Sequence, residues 1–254
     1  MTPGEMAAVF AAGMGAGAVN AVVGSGTLIT FPVLLATGLS PVTATVSNGL
    51  GLVPGSISAA IGYREELRGQ RRRVLLLGIG AVLGGLTGAV LLLTLPESAF
   101  ERIVPVLVSL ALVLVACQPL IAKRVRRRRP ADGPARRDGG PLLFTGLTLA
   151  SVYGGYFSAA QGIIYVSLMG MLLDDTLQRL NAVKNVLAAV VNTVAAVLFV
   201  FFADFDWTAV LLIAVGSALG GLIGARTGRR FSPAVLRTLI VSVGTVALVH
   251  LVLR

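Results

Sequence analysis

The sequence predicts an all-α integral membrane protein made of two inverted repeats, each a broken re-entrant helical hairpin followed by three transmembrane helices. Three observations predict this. Hydrophobic residues make up 56% of the 254 and charged residues only 13%, with a mean hydropathy of +0.89. That is far from the balance of a water-soluble domain. The apolar residues fall into blocks of roughly 20, the length a helix needs to cross a hydrocarbon core of about 30 Å. Two further blocks are interrupted by glycine, and each is too long for one span and too short for two.

In chain order, the first repeat (1–122) comprises a hairpin at 6–37 and spans at 42–62, 74–95 and 101–122. A basic linker, 123–140, joins it to the second repeat (141–254), with a hairpin at 141–173 and spans at 181–203, 208–225 and 235–253. As a straight helix, the 6–37 block would reach ~48 Å at 1.5 Å per residue. Gly24-Ser25-Gly26 lies near the middle of the first block, and Gly154-Gly155 with Gly162 near the middle of the second. Glycine costs about 1 kcal/mol in a helix interior and lets the backbone turn sharply. Pro32 further disfavours a straight helix through the first block.

Charge sets the orientation. The net charge of +10 would suggest nucleic acid in a soluble protein, but here the basic residues gather in short loops, where they act as a cytoplasmic retention signal. Arg64, Arg68 and Arg71 to Arg73 mark one such loop, the linker marks a second, and Arg226, Arg229 and Arg230 a third. Glu97, Glu101, Asp204 and Asp206 fall in loops of the opposite side. This alternation holds only if 141–173 enters and leaves by one face. Of the 21 Lys and Arg residues, all but Arg102, Arg254 and Lys184 are then cytoplasmic, and both termini lie outside. Each half makes an odd number of crossings, so the halves run in opposite directions. The repeat is visible in the letters: LGGLTGA at 83–89 returns as LGGLIGA at 219–225, and Val46-Ser47-Asn48 returns as Val183-Lys184-Asn185. The N-terminus lacks the basic n-region and cleavage site of a signal peptide, so the first block is expected to be retained.

Inverted repeats with broken helices are the architecture in which transporters hold substrate near the midplane. A helix that begins inside the membrane presents free N–H groups and a partial positive charge to an anion. One tip offers Asn20, Gly24, Ser25, Gly26 and Thr27, and the other Ser158, Gln161 and Gly162. Asn48 shares a helical face with Gly51, Gly55, Ser58 and Gly62. Asn185 shares one with Asn181 and Asn192, with Lys184 alongside. Each pattern also has a plainer reading: glycines that let helices approach closely, asparagines that bond between helices, and a lysine that snorkels to the interface. If Lys184 does not snorkel, it is the counter-charge for an anion. Cys117 reads as a small buried side chain, His250 as a boundary residue and Trp207 as an interfacial anchor.

The run Gly24 to Pro32, followed by Asn48, Pro54-Gly55 and Tyr63-Arg64, resembles the first half of the sulfite exporter TauE/SafE family; Asn181 to Ala188, then Asn192, resembles its second half. The resemblance implies a bacterial inner-membrane permease for sulfite, organosulfonates or related small anions. Two departures stand out. Ser25 replaces the middle of three glycines, and Ser158-Ala159-Ala160-Gln161-Gly162 replaces a Gly-Ala-Gly-Leu-Gly pattern; both place hydrogen-bonding side chains at the tips. The expected function is transport of a small oxyanion, sulfonate or carboxylate by alternating access. An anion channel on the same architecture is the alternative, and an intramembrane enzyme is disfavoured because the chain has one His, one Cys and no intramembrane carboxylate pair. The expected partners are the anion and the lipid bilayer, with no nucleic acid, cofactor, metal or catalytic residue.

Overall fold

A computed structural model describes residues 1–127, 139–227 and 233–252. The centre of the basic linker (128–138), Arg229, Arg230 and residues 253 and 254 lie outside the described residues, as does the side chain of His250. Among the described residues the chain is all-helical: α1 (Pro3–Val22), α2 (Thr27–Ala36), α3 (Pro41–Gly62), α4 (Arg71–Thr94), α5 (Glu97–Arg127), α6 (Gly140–Tyr156), α7 (Gln161–Leu172), α8 (Leu177–Phe202), α9 (Trp207–Thr227) and α10 (Pro233–Val252).

Local sequence explains where several helices start. Thr2 caps α1 with a reciprocal pair, its hydroxyl accepting from the Glu5 amide and its own amide donating to Glu5 Oε2, ahead of Pro3. Ser40 caps α3 ahead of Pro41, Thr176 caps α8, and Asp206 Oδ1 accepts from the Ala209 amide at the start of α9. At the other end of the scale, α5 runs to Arg127, five residues past the expected end of its span at 122, and takes in the first residues of the linker. Its basic last turn suits the negative end of the helix dipole.

Among the described residues, five helices are long and apolar enough to cross a membrane: α1, α4, α5 over Glu97–Leu120, α8 and α9. They carry apolar faces left exposed among the described residues, such as Leu75, Ile79 and Leu83 on α4 and Val106 and Val113 on α5. Stripes of this size on several helices are what a bilayer covers, and the protein is a multi-pass membrane protein. The five do not include α3, whose apolar content is diluted by Thr43, Thr45, Ser47, Asn48, Ser56 and Ser58. Most of these polar groups are used inside the protein. Ser56 Oγ accepts from Asn192 Nδ2 of α8 at 3.1 Å, and Ser47 Oγ accepts from the Asp206 amide at 3.0 Å.

Small residues decide which helices touch. Gly13, Gly17 and Ala18 of α1 lie against Ile213, Ser217 and Gly224 of α9, so the two helices run parallel. Gly80, Gly84 and Gly88 of α4 lie in the same manner along Thr148, Ser151 and Val152 of α6. The LGGLxGA segments sit in these seams: Gly84 and Gly88 face α6 while Gly85 faces Val191 of α8, and Gly220 and Gly224 face α1 while Gly221 faces α3. Their role is close helix packing. Helix α1 of the N-terminal half thus packs on α9 of the C-terminal half, and α6 of the C-terminal half on α4 of the N-terminal half. At one end of the bundle, Arg73 and Arg179 both pair with Asp175, at 2.6 and 2.8 Å, tying the α3–α4 turn to the α7–α8 turn. Gln70 Nε2 donates to the Arg179 carbonyl across the same seam.

Candidate substrate site at two helix breaks

The first break falls at Val23–Gly26, as the glycines suggested. Gly24 is left-handed at φ 86°, a conformation that costs an L-residue about 1–2 kcal/mol. The second break, expected at the tip segment Ser158 to Gly162, falls at 157–160 and not at the glycine pair Gly154-Gly155. Helix α6 continues through both, and the chain turns at Phe157–Ala160, where Ser158 (φ 67°) and Ala160 (φ 58°) are left-handed. Those two glycines serve close approach instead: a Cβ on Gly154 would overlap the Gln161 carboxamide, and Gly155 lies against Gly85. The strained positions Ser158 and Ala160 are those where the TauE/SafE pattern described above has glycine.

The two breaks meet. The Gly162 amide donates to the Gly24 carbonyl at 3.1 Å, and a Cβ on Gly162 would lie 2.5 Å from Gly24 Cα. Neither α2 nor α7 has a side-chain cap, a lack they share with α4 and α6 but not with α1, α3, α8 and α9. The amides of their first residues, Thr27 and Gln161, find no acceptor among the described residues. These are the donors a helix N-terminus offers to an anion.

The surrounding side chains hold this arrangement. Asn20 Oδ1 accepts from the Gly26 amide at 2.7 Å, folding the first tip back on itself. Asn48 Nδ2 donates to Thr27 Oγ1 at 3.2 Å, and the Thr30 hydroxyl donates to Asn48 Oδ1. Asn185 Nδ2 donates to the Ala21 carbonyl at 3.2 Å. Asn48 and Asn185 therefore both grip the α1–α2 pair, Asn48 at the start of α2 and Asn185 at the end of α1. Lys184 is 1% exposed and does not snorkel. Its Nζ donates to the carbonyls of Asn20 (2.7 Å) and Ala21 (3.2 Å), at the electronegative end of α1, and no carboxylate pairs with it among the described residues. Its stem passes beside Gly162, where a Cβ would lie 2.9 Å from Lys184 Cδ.

At the second tip, Gln161 Nε2 donates to the Tyr165 hydroxyl at 2.5 Å, and that hydroxyl also bonds Ser151. Ser158 is half-buried, and its side chain makes no hydrogen bond to the described protein. Ser25 is wholly buried and its hydroxyl has no protein partner, although a buried hydroxyl normally finds one. Sequence reading overlooked Thr30, Ser151 and Tyr165. The first and last were findable, lying three residues after Thr27 and four after Gln161, on the same helical faces. Cys117, expected to be buried, is half-buried.

The family model of the sulfite exporter TauE/SafE matches residues 9–251, nearly the whole chain. The chain belongs to this family. Among its relatives, the "Probable membrane transporter protein YfcA" of Escherichia coli (strain K12) is 28% identical over 251 residues, covering 97% of this chain and 89% of that protein. A "Probable membrane transporter protein" of Haemophilus influenzae is 26% identical, covering 93% and 90% respectively. "Probable membrane transporter protein ORF9" of a Sinorhizobium species is 24% identical, covering 97% and 92%. No solved structure matches. Within this TauE/SafE member, the two breaks and the residues bonded to them form a single connected cluster.

Proposed function

We propose that this TauE/SafE protein transports a small anion, such as sulfite, an organosulfonate or a related oxyanion or carboxylate, by alternating access. The anion is held between the two helix breaks. The observation that carries this reading is the meeting of two uncapped helix N-termini beside a buried lysine with no carboxylate partner among the described residues. An ammonium group has three donors, and Lys184 spends two on α1 carbonyls. The third, with the Thr27 and Gln161 amides and the Ser25 hydroxyl, forms a donor set without an acceptor. An anion would neutralise the charge and satisfy the donors together, whereas a cation would be repelled.

The same reading makes the two halves inverted repeats and both hairpins re-entrant. The reciprocal packing of α1 on α9 and α6 on α4 supports this, as does the matched use of the LGGLxGA glycines. Exchange of access then consists of the hairpins of one half moving against the spans of the other. The membrane is the bacterial inner membrane, with the Arg73–Asp175 end cytoplasmic and both termini outside.

The test is flux of radiolabelled sulfite, sulfoacetate and acetate into liposomes containing the purified protein. Saturable uptake of at least one anion is expected. Lys184→Met should lower it more than tenfold, and Asn48→Ala and Asn185→Ala by smaller factors, in protein whose elution and melting temperature show that it is folded. Undiminished flux in folded Lys184→Met would refute the site, and conductance that never saturates would replace the carrier by a channel.

A further inference from the structure

Outside the tip cluster, α3 and α8 enclose an open groove of about 520 Å3 at the bundle end that carries Arg64. Its walls are apolar, with Ile57 and Ile61 on α3 facing Val186 and Val190 on α8; Thr193 and Val194 close one end and Arg64 stands at the other. We propose that this groove binds one anionic glycerophospholipid, with an acyl chain lying along the walls and the phosphate on Arg64.

The lining and the charge select that ligand. From Val186 to Val194 the groove runs roughly 12 Å along the helix at 1.5 Å per residue. A wholly apolar groove would accept any lipid tail, and the rim supplies the discrimination. The Arg64 side chain is exposed and makes no hydrogen bond or ion pair among the described residues, whereas the side chains of Arg73 and Arg179 at the same end are engaged by Asp175. A basic group at the mouth of an interhelical groove at the headgroup level is how membrane proteins recognise anionic headgroups. The groove is also one-sided. At the repeat spacing set by Asn48 and Asn185, the counterpart of Arg64 is Phe201, which is 74% exposed and carries no charge. The lipid would therefore bridge α3 and α8, the helices that carry Asn48 and Lys184, at one end only. This proposal does not depend on what the protein transports.

The test is native mass spectrometry of the full-length protein released from membranes of phosphatidylglycerol and phosphatidylcholine in equal amounts. The wild type should retain one phosphatidylglycerol in preference to phosphatidylcholine. Arg64→Gln should lower that preference about fivefold, the effect of one interfacial cation, and Arg64→Lys should largely keep it. Thr193→Trp, an exposed position at the far end, should displace the lipid, while Arg71→Gln, outside the groove, should leave the preference within twofold. Absence of a phosphatidylglycerol preference in the wild type would overturn the proposal. So would an equal loss in Arg71→Gln and Arg64→Gln, which would mean a general surface charge. A dimer that Thr193→Trp dissociates would assign the groove to a second copy of the chain instead. If Thr193→Trp fails to fold, the contrast between Arg64→Gln and Arg64→Lys decides alone.

Discussion

A graded series of glycine substitutions tests whether the two helix breaks touch. In Gly162→Ala the new Cβ would sit 2.5 Å from Gly24 Cα and must retreat to at least 3.4 Å, the near edge of ordinary contact. The tips would separate by about 0.9 Å (3.4 minus 2.5), stretching the 3.1 Å bond from the Gly162 amide to the Gly24 carbonyl to roughly 4 Å, beyond hydrogen-bonding range. Losing that bond costs about 0.5–1.5 kcal/mol and overpacking about 1–3 kcal/mol more, a total of about 1.5–4.5 kcal/mol. Gly24→Ala adds about 1–2 kcal/mol because its φ of 86° is left-handed. Two controls separate the contributions. Gly38 is left-handed at φ 89° but faces open space, so Gly38→Ala should cost only about 1 kcal/mol. Gly15 is helical with open space beyond it, so Gly15→Ala should be neutral or stabilising by up to about 1 kcal/mol. Melting temperatures of the purified variants should rank Gly15→Ala, Gly38→Ala, Gly162→Ala, Gly24→Ala from highest to lowest, with about 2–4 °C per kcal/mol. If Gly162→Ala melts no lower than Gly38→Ala, the tips are not in contact and the site described above does not exist.

Two further predictions concern stability. Ser158→Gly and Ala160→Gly should each raise the melting temperature, because relief of a left-handed L-residue, about 1–2 kcal/mol, exceeds the extra backbone freedom of glycine, about 0.5–1 kcal/mol; a fall in both would show that the second tip is not strained. At the Arg73 end, burial alone would raise the Asp175 pKa, but hydrogen bonds from Arg73 and the Thr176 amide, with the charges of Arg179 and Arg73, outweigh it and hold the carboxyl below its usual value. A carboxyl lowered by folding stabilises above its unfolded pKa of about 3.9 and loses that contribution as pH falls through the folded value. Wild type should therefore melt above Asp175→Asn at neutral pH, and the two melting curves should converge below about pH 4. Parallel curves across that range would remove the ion pair from the stability of the fold.

Much of the architecture was legible because it is local. Block length and hydropathy report on the bilayer directly, and Gly24 marks a turn that an L-residue would resist. The second hairpin block shows that glycine has two uses with the same letter. At Gly154 and Gly155 it admits a neighbouring side chain or backbone inside a continuous helix, while the turn itself is made by Ser158 and Ala160, residues with no intrinsic preference for the left-handed region. The length of α5 escaped for a related reason, since a helix leaving the bilayer continues in water when its last turn is basic.

The sequence by itself determined that the chain crosses a membrane, where its helices lie, and which polar residues have to be sheltered, because hydropathy and backbone preference act over a few residues. Only the tertiary structure decided what Lys184 does. Position alone allowed it to reach for the interface or face a ligand, and its actual partners, the carbonyls of Asn20 and Ala21, lie 164 and 163 residues away. The same holds for the contact of Gly24 with Gly162 and for Asn48 and Asn185 gripping one hairpin. A buried polar group takes the nearest available partner in space, and which partner is nearest depends on how α1, α3, α7 and α8 pack together.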